Sequence, residues 1–199
     1  MKPRTSREAG RRAVVVTGTP GTGKTTISKS LARHLRAEYL SLTKLVTDEK
    51  LHEAVDQQRR TKVVDLDRTR KWLRKSLSER ETVTVIDTHV ADVVPPEYVV
   101  KAIVLRCHPA ILEARLRQKG WSPSKVRENV LAEILDSCYI IASEYYGLKK
   151  TVQIDTSRNS ISGTAKECVA LLKKQLPSES MVDWIAVLDQ EQVLARYIP

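Results

Sequence analysis

The sequence predicts a three-layer α/β fold, with a five-stranded parallel sheet, helices on both faces and a short basic lid. Three observations predict it. Strand-like apolar runs alternate with helix-period patterns along the 199 residues, the order that builds parallel sheets through helical crossovers. A glycine-rich turn joins the first run to the first helix pattern. Residues 115–127 carry five cations (Arg115, Arg117, Lys119, Lys125, Arg127) and no acid.

The elements follow in order. Ala13 to Gly18 is a β-branched run closed by glycine, a buried strand. Ile27, Leu31 and Leu35 then repeat every four residues, one face of a helix. Glu38 to Leu42 is a weaker second strand, and residues 43–58 are polar and mixed, helical in part. Leu66, Trp72, Leu73 and Leu77 mark a helix over 65–80, and Thr82 to Asp87 a third strand ending in an acid. After the break at Pro95 and Pro96, Lys101 to Arg106 is a fourth strand, with Pro109 opening a helix to Lys119. Gly120 stops that helix. Ser122 and Pro123 start another, whose stripe of Val126, Val130, Ile134, Cys138, Ile141 and Tyr145 runs unbroken to Tyr146. Thr151 to Asp155 is the fifth strand and 160–174 a helix. Beyond Pro177, Trp184, Ile185 and Leu188 suggest one more short helix, with Trp184 stapling the tail to the body. Tyr39 and Tyr145 read as core edge, and Trp72 and Trp121 as core or lid packing. The organisation is a basic arm over 1–12, a main domain over 13–176 and a helical tail over 177–199.

Composition bounds the partners. There are 34 Lys and Arg against 24 Asp and Glu, a formal net charge of +10, and 41% of residues are hydrophobic. The excess predicts attraction to polyanions. The longest apolar run, near Cys138 to Ala142, is far short of the roughly 18–20 residues of a membrane span, so no membrane role is expected. Cys107, Cys138 and Cys168 form no CxxC pair, which fits a reducing compartment and a cytoplasmic protein.

The sharpest motif is Gly18-Thr19-Pro20-Gly21-Thr22-Gly23-Lys24-Thr25, which matches GxxxxGK[ST] between a buried strand and an amphipathic helix. Its glycines let successive N–H groups turn toward a phosphate, and the following helix aims its positive end at the same anion. Gly21, Thr22, Gly23, Lys24, Thr25 and Thr26 are therefore the candidate residues for holding ATP. Lys24 would reach the β- and γ-phosphates, and the Thr25 hydroxyl would join a Mg²⁺ shell. Asp87, at the carboxyl end of its strand, would hold that Mg²⁺ through water. His89, two residues on, is close enough to orient a water or a transferring phosphoryl group. Asp87 follows Lys24 too soon for a large ATPase, and no NKxD-like guanine signature is present. A compact P-loop kinase of small molecules fits better, its lid closing cations over the phosphoryl group in flight.

The loop motif through Thr26, Asp87-Thr88-His89, Leu105-Arg106 and the stretch from Lys119 to Lys125 together resemble the atypical adenylate kinases, namely adenylate kinase isoenzyme six and its archaeal counterparts. The resemblance spans about residues 12–175, with Asp-x-His as its discriminating element. It implies an adenylate kinase that also hydrolyses ATP, with AMP or another nucleoside monophosphate as acceptor. It further implies a catalytic His89, a monophosphate segment near 41–63, a lid near 118–128 and Arg158 near the ATP base. Lys119 stands before Gly120-Trp121 where relatives carry arginine before Gly-Tyr; it keeps the charge and loses the bidentate fork. The family also associates with the small-subunit platform ribosomal protein S-eleven and acts in late rRNA maturation. Direct rRNA contact would suit the cations of the arm (Lys2, Arg4, Arg7, Arg11, Arg12) and of 59–75 (Arg59, Arg60, Lys62, Arg68, Arg70, Lys71, Arg74, Lys75); ordinary solubilising charge explains them equally. A P-loop kinase of another small metabolite, with no ribosomal role, is the alternative.

Overall fold

The computed structural model describes residues 12–56, 61–174 and 181–198. The expectations for the arm before Arg12, for Arg59 and Arg60, and for Pro177 lie outside the described residues. In chain order the elements are β1 (Ala13–Gly18), α1 (Lys24–Leu35), β2 (Glu38–Ser41), α2 (Leu42–Asp48), β3 (His52–Asp56), β4 (Thr61–Val64), α3 (Leu66–Glu79), β5 (Thr84–Asp87), β6 (Val99–Arg106), α4 (Pro109–Gln118), α5 (Pro123–Ile134), α6 (Ser137–Tyr146), β7 (Thr151–Asp155), α7 (Ile161–Lys174) and α8 (Trp184–Gln190). A 3₁₀ turn at Leu194–Arg196 follows.

The main sheet has the order β2-β5-β1-β6-β7, and every pairing in it is parallel. Alternation along β1 distributes the core. Ala13 and Val15 pack with Leu73 and Leu77 of α3 and Ala142 and Tyr146 of α6 on one face. Val14 and Val16 pack with Ile27 and Leu31 of α1 and Cys168 of α7 on the other. Burying side chains of this size stabilises by about 1.5–3 kcal/mol each, and β1 has both faces covered, so its run is continuously apolar. A third cluster joins Leu112 and Leu116 of α4, Val126 and Val130 of α5, and Trp184 and Leu188 of α8. The tail is thus packed on the body through Trp184, as its apolar residues predict.

The structure differs from the sequence reading at several places. Of the segment 43–58 expected to be partly helical, only 43–48 is helix, and Leu42, read as the end of the second strand, opens that helix. Residues 52–56 and 61–64 instead pair antiparallel as a separate two-stranded ribbon; the β-branched Val63 and Val64 suit it, but neighbouring polar residues hide the period. The stripe over 122–146 is two helices. Asp136 adopts a left-handed φ of 55° and its carboxylate pairs with the Arg106 guanidinium, so the chain turns there and Ile141, expected inside, is exposed. The third strand begins at Thr84, since Thr82 turns its hydroxyl to Glu38 (2.8 Å), and the fourth begins two residues earlier, at Val99.

Candidate active site

The carboxyl ends of β1 and β5 meet at the amino end of α1, and the phosphate loop fills the junction. Gly18 has φ 137°, and a Cβ there would stand 2.3 Å from the Leu105 carbonyl oxygen, so no other residue lets β1 pass β6 into the loop. Gly23 caps α1 at φ 96° and supplies no side chain to its first amides. Those N–H groups are left for a ligand, which is what an anion site at a helix end requires.

A cleft of about 1310 Å³ opens over the loop and is lined by Gly21, Gly23, Lys24, Thr25 and Thr26, by Asp87 and His89 after β5, by Ser41 and Thr43, and by Lys119, Trp121, Lys125 and Asn129 of the lid segment. The Lys24 ammonium donates to the carbonyl oxygens of Gly18 (2.8 Å) and Thr19 (3.0 Å). Burial pushes its pKa down to about 8, opposed by Cys138, Asp87 and Glu133 and reinforced by Lys119. Across the cleft floor the Thr25 hydroxyl donates to Asp87 Oδ2 at 2.7 Å. The His89 side chain opens into the cleft. Exclusion of bulk solvent by the walls, and secondly the Lys24 charge, hold its pKa below the ordinary histidine value, while Asp87 pulls the other way. His89 is thus a neutral imidazole at neutral pH, able to accept a hydrogen bond or a proton.

Thr25 and Asp87 present hard oxygen donors to the same space, the chemistry a divalent cation such as Mg²⁺ takes. Among the described residues no group of three or more His, Cys, Asp and Glu side chains is placed to cage a metal.

Gly21, Gly23, Lys24, Thr25, Thr26, Asp87, His89 and Lys119 all line this one cleft. Thr22 and Arg158 do not. The Thr22 hydroxyl donates to Thr19 O at 2.9 Å, and its own carbonyl accepts from the Thr156 hydroxyl (3.1 Å); its side chain braces the loop. Arg158 lines a separate cavity of about 300 Å³ with His108, Ile111 and Trp184. Of the five lid cations, Lys119 and Lys125 line the cleft, the latter with Nζ 4.2 Å from the Trp121 ring centroid. Arg115 instead faces the carbonyls of Gly21 (3.5 Å) and Thr156 (3.4 Å), and Arg117 pairs with Glu113 (2.7 Å).

Two participants escaped the sequence reading. Tyr39 donates its hydroxyl to Asp87 Oδ2 at 3.1 Å, and burial with that carboxylate raises its pKa to about 12. The parallel register that sets Ser41 beside Asp87 brings Tyr39 to the same face; strand periodicity carries that signal only once the pairing is known. Glu133, behind the loop, accepts the Thr19 hydroxyl at 2.6 Å.

The family model described as an AAA domain matches residues 14–136. A protein of Methanocaldococcus jannaschii named "Putative adenylate kinase" is 36% identical over 171 residues, covering 86% of this chain and 92% of that one. A Pyrococcus abyssi protein of the same name is 34% identical, covering 89% and 93%. Among solved structures, the shikimate kinase of Acinetobacter baumannii in complex with shikimate superposes with a TM-score of 0.57 at 16% identity, covering 85% of this chain and 98% of its own. A Sinorhizobium meliloti gluconokinase gives 0.54 at 18%, covering 83% and 93%. These two establish the P-loop kinase fold. Among the described residues no helix is long and apolar enough to cross a membrane.

Proposed function

The chain belongs to the atypical adenylate kinase family, and on that premise we propose that it transfers the γ-phosphoryl group of ATP to AMP and hydrolyses ATP when water takes the acceptor's place. We further propose that this turnover serves late maturation of the small ribosomal subunit through transient contact with a platform ribosomal protein. The carrying observation is the convergence of Lys24, Thr25, Asp87 and His89 on one cleft over the phosphate loop. Its chemistry is positioning and charge neutralisation, which is what phosphoryl transfer demands.

The residues act as follows. The triphosphate docks on the free amides at the start of α1. Lys24 exchanges the carbonyls of Gly18 and Thr19 for phosphate oxygens. Mg²⁺, when bound beside Thr25 and Asp87, supplies further neutralisation of the phosphate charge. Neutral His89 accepts a hydrogen bond from the attacking hydroxyl or water and sets its line of approach. Lys119 and Lys125 close from the lid side and exclude bulk water.

The ribosomal reading is supported by the family resemblance and by the net charge. Its basic surface is narrower than composition suggests. On α3, Arg68 pairs with Asp65 (3.7 Å), Arg70 with Asp92 (3.3 Å) and Arg74 with Glu97 (3.0 Å), which leaves exposed Lys71 and Lys75 as the better candidates for phosphate contact.

The deciding experiment measures phosphate release and ADP formation from ATP alone, with AMP, and with a purified platform protein, for wild type and His89→Ala. The expected result is ADP formation with AMP, and acceptor-free hydrolysis that falls about 10²-fold in the variant, the scale of losing a positioned base. Transfer to another small acceptor but not AMP overturns the assignment of AMP as acceptor. Hydrolysis that is absent without an acceptor, and insensitive to both the platform protein and the histidine change, overturns the assembly role.

A second outcome follows from Lys24. At about pH 6.5 the lysine is already charged, so binding a non-hydrolysable ATP analogue takes up almost no proton there. Above about pH 8 the bound triphosphate must recharge it, and uptake approaches one proton. Calorimetry in buffers of different ionisation enthalpy reads this directly. Equal uptake at both pH values removes Lys24 from the phosphate contact.

A further inference from the structure

Glu133, on the last turn of α5, is 2% exposed and lies outside the cleft lining, yet four donors from three parts of the chain converge on its carboxylate. Oε2 accepts the Thr19 hydroxyl at 2.6 Å. Oε1 accepts Arg106 Nε (2.8 Å), the Cys107 backbone N–H (3.0 Å) and the Trp184 indole N–H (2.9 Å). Thr19 is the second residue of the phosphate loop. Its carbonyl accepts the Thr22 hydroxyl (2.9 Å), the Thr22 amide (3.3 Å) and the resting Lys24 ammonium (3.0 Å).

We propose that Glu133 is a positioning residue for the phosphate loop, and that the tail helix α8, through the Trp184 N–H, is a working part of the nucleotide site. Charge-assisted bonds in a dry interior are strong and geometrically demanding. Holding the Thr19 hydroxyl fixes the carbonyl that organises the loop, so its amides point inward before ATP arrives. Loosening this hold lowers the fraction of protein competent to bind, and apparent affinity falls by that fraction. The rival role for Trp184 is packing alone, since its ring also meets His108 edge-on with centroids 5.4 Å apart. Trp184→Phe separates the two, because it keeps an apolar ring and removes the donor.

The inference rests on the reading of the cleft as an ATP site. Wild-type protein that fails to bind a fluorescent ATP analogue sinks that reading; wild type that binds, with unaffected variants, sinks the inference alone. Analogue Kd is measured for Thr19→Val, Thr19→Ser, Trp184→Phe and the double variant Thr19→Val with Trp184→Phe, at a temperature where circular dichroism shows each folded. Thr19→Val weakens binding roughly tenfold and Trp184→Phe roughly threefold, the scale of a buried hydrogen bond. Thr19→Ser stays within about twofold, and the double variant loses less than the product of the singles. Unchanged Kd in Thr19→Val or Trp184→Phe, or strictly multiplicative losses, overturns the proposal. Hydrogen exchange of the Trp184 indole proton in wild type is an independent arm that needs no variant. Reciprocity requires bound nucleotide to slow it several-fold, and an unchanged rate overturns the proposal as well.

Discussion

Replacing Lys24 with methionine abolishes phosphoryl transfer and hydrolysis while leaving the protein at least as stable at neutral pH. The expected fall in turnover is two to three orders of magnitude or more, about the effect of removing one preorganised charge from a developing anion. The stability side has its own sign. The folded pKa of Lys24, about 8, lies below the ordinary lysine value of 10.5, so between these values the unfolded chain binds more protons than the native one. Wild-type stability therefore rises as pH increases through that window. Below about pH 8 the native state carries a half-buried ammonium whose partners, Gly18 O and Thr19 O, only partly replace water. Lys24→Met removes this cost, keeps the aliphatic stem and flattens the rise between pH 8 and 10. Chemical denaturation at several pH values, beside phosphate release, reads both effects. Turnover within tenfold of wild type sinks the site assignment; a variant that unfolds at neutral pH shows the lysine to be a structural anchor instead. Retaining a cation that weakens the resting protein is the pattern of a site shaped for its ligand rather than for stability.

The loop was legible in the sequence because its information is local: eight contiguous residues specify the turn, the anion cradle and the lysine. The sheet was legible for a related reason. β1 and the part of β6 from Ala102 onward are buried on both faces, and neither needs a distant residue to declare itself apolar. What could not be read depends on partners far along the chain. Tyr39 looks like any strand tyrosine until β2 and β5 are set side by side, which joins it to Asp87 48 positions away. Glu133 falls in an ordinary helical pattern, and its partners Thr19 and Trp184 are 114 and 51 residues distant. The break at Asp136 was masked by an apolar stripe that continues through it, because periodicity registers side chains and not the backbone turn an ion pair imposes. The lid charges show the opposite error. Of a run of five cations read as one functional group, folding places Lys119 and Lys125 at the cleft, Arg115 against the loop and Arg117 on Glu113.

Arg106 is the plainest case of this dependence, and its replacement carries the largest expected loss of stability. As the last residue of a strand it looks like a surface cation, yet it is 1% exposed. Its Nε donates to Glu133 Oε1 and its Nη2 to the Glu133 carbonyl, both at 2.8 Å. The side chain also pairs with Asp136 and with Gln153 Oε1. Burying such a pair is nearly neutral against an apolar alternative, but removing one partner strands the other's charge in low dielectric. Arg106→Met should therefore destabilise by about 3–5 kcal/mol, seen as a lower denaturant midpoint with little change in slope. Removing the stranded charge as well separates charge from packing. The double variant Arg106→Met with Glu133→Gln keeps an amide oxygen to accept the Cys107 and Trp184 N–H groups and turns its NH2 toward the Thr19 hydroxyl, which can accept, and it should recover a substantial part of the loss. Losses that simply add would show that Arg106 contributes by filling space. The same variants carry a functional readout, since the single change leaves Glu133 without its main cation while Thr19 and the Cys107 amide still hold it. Nucleotide affinity in the folded fraction of Arg106→Met should then fall less than stability does, because the geometry of the loop depends on the carboxylate's position and the cost of keeping it there depends on the guanidinium.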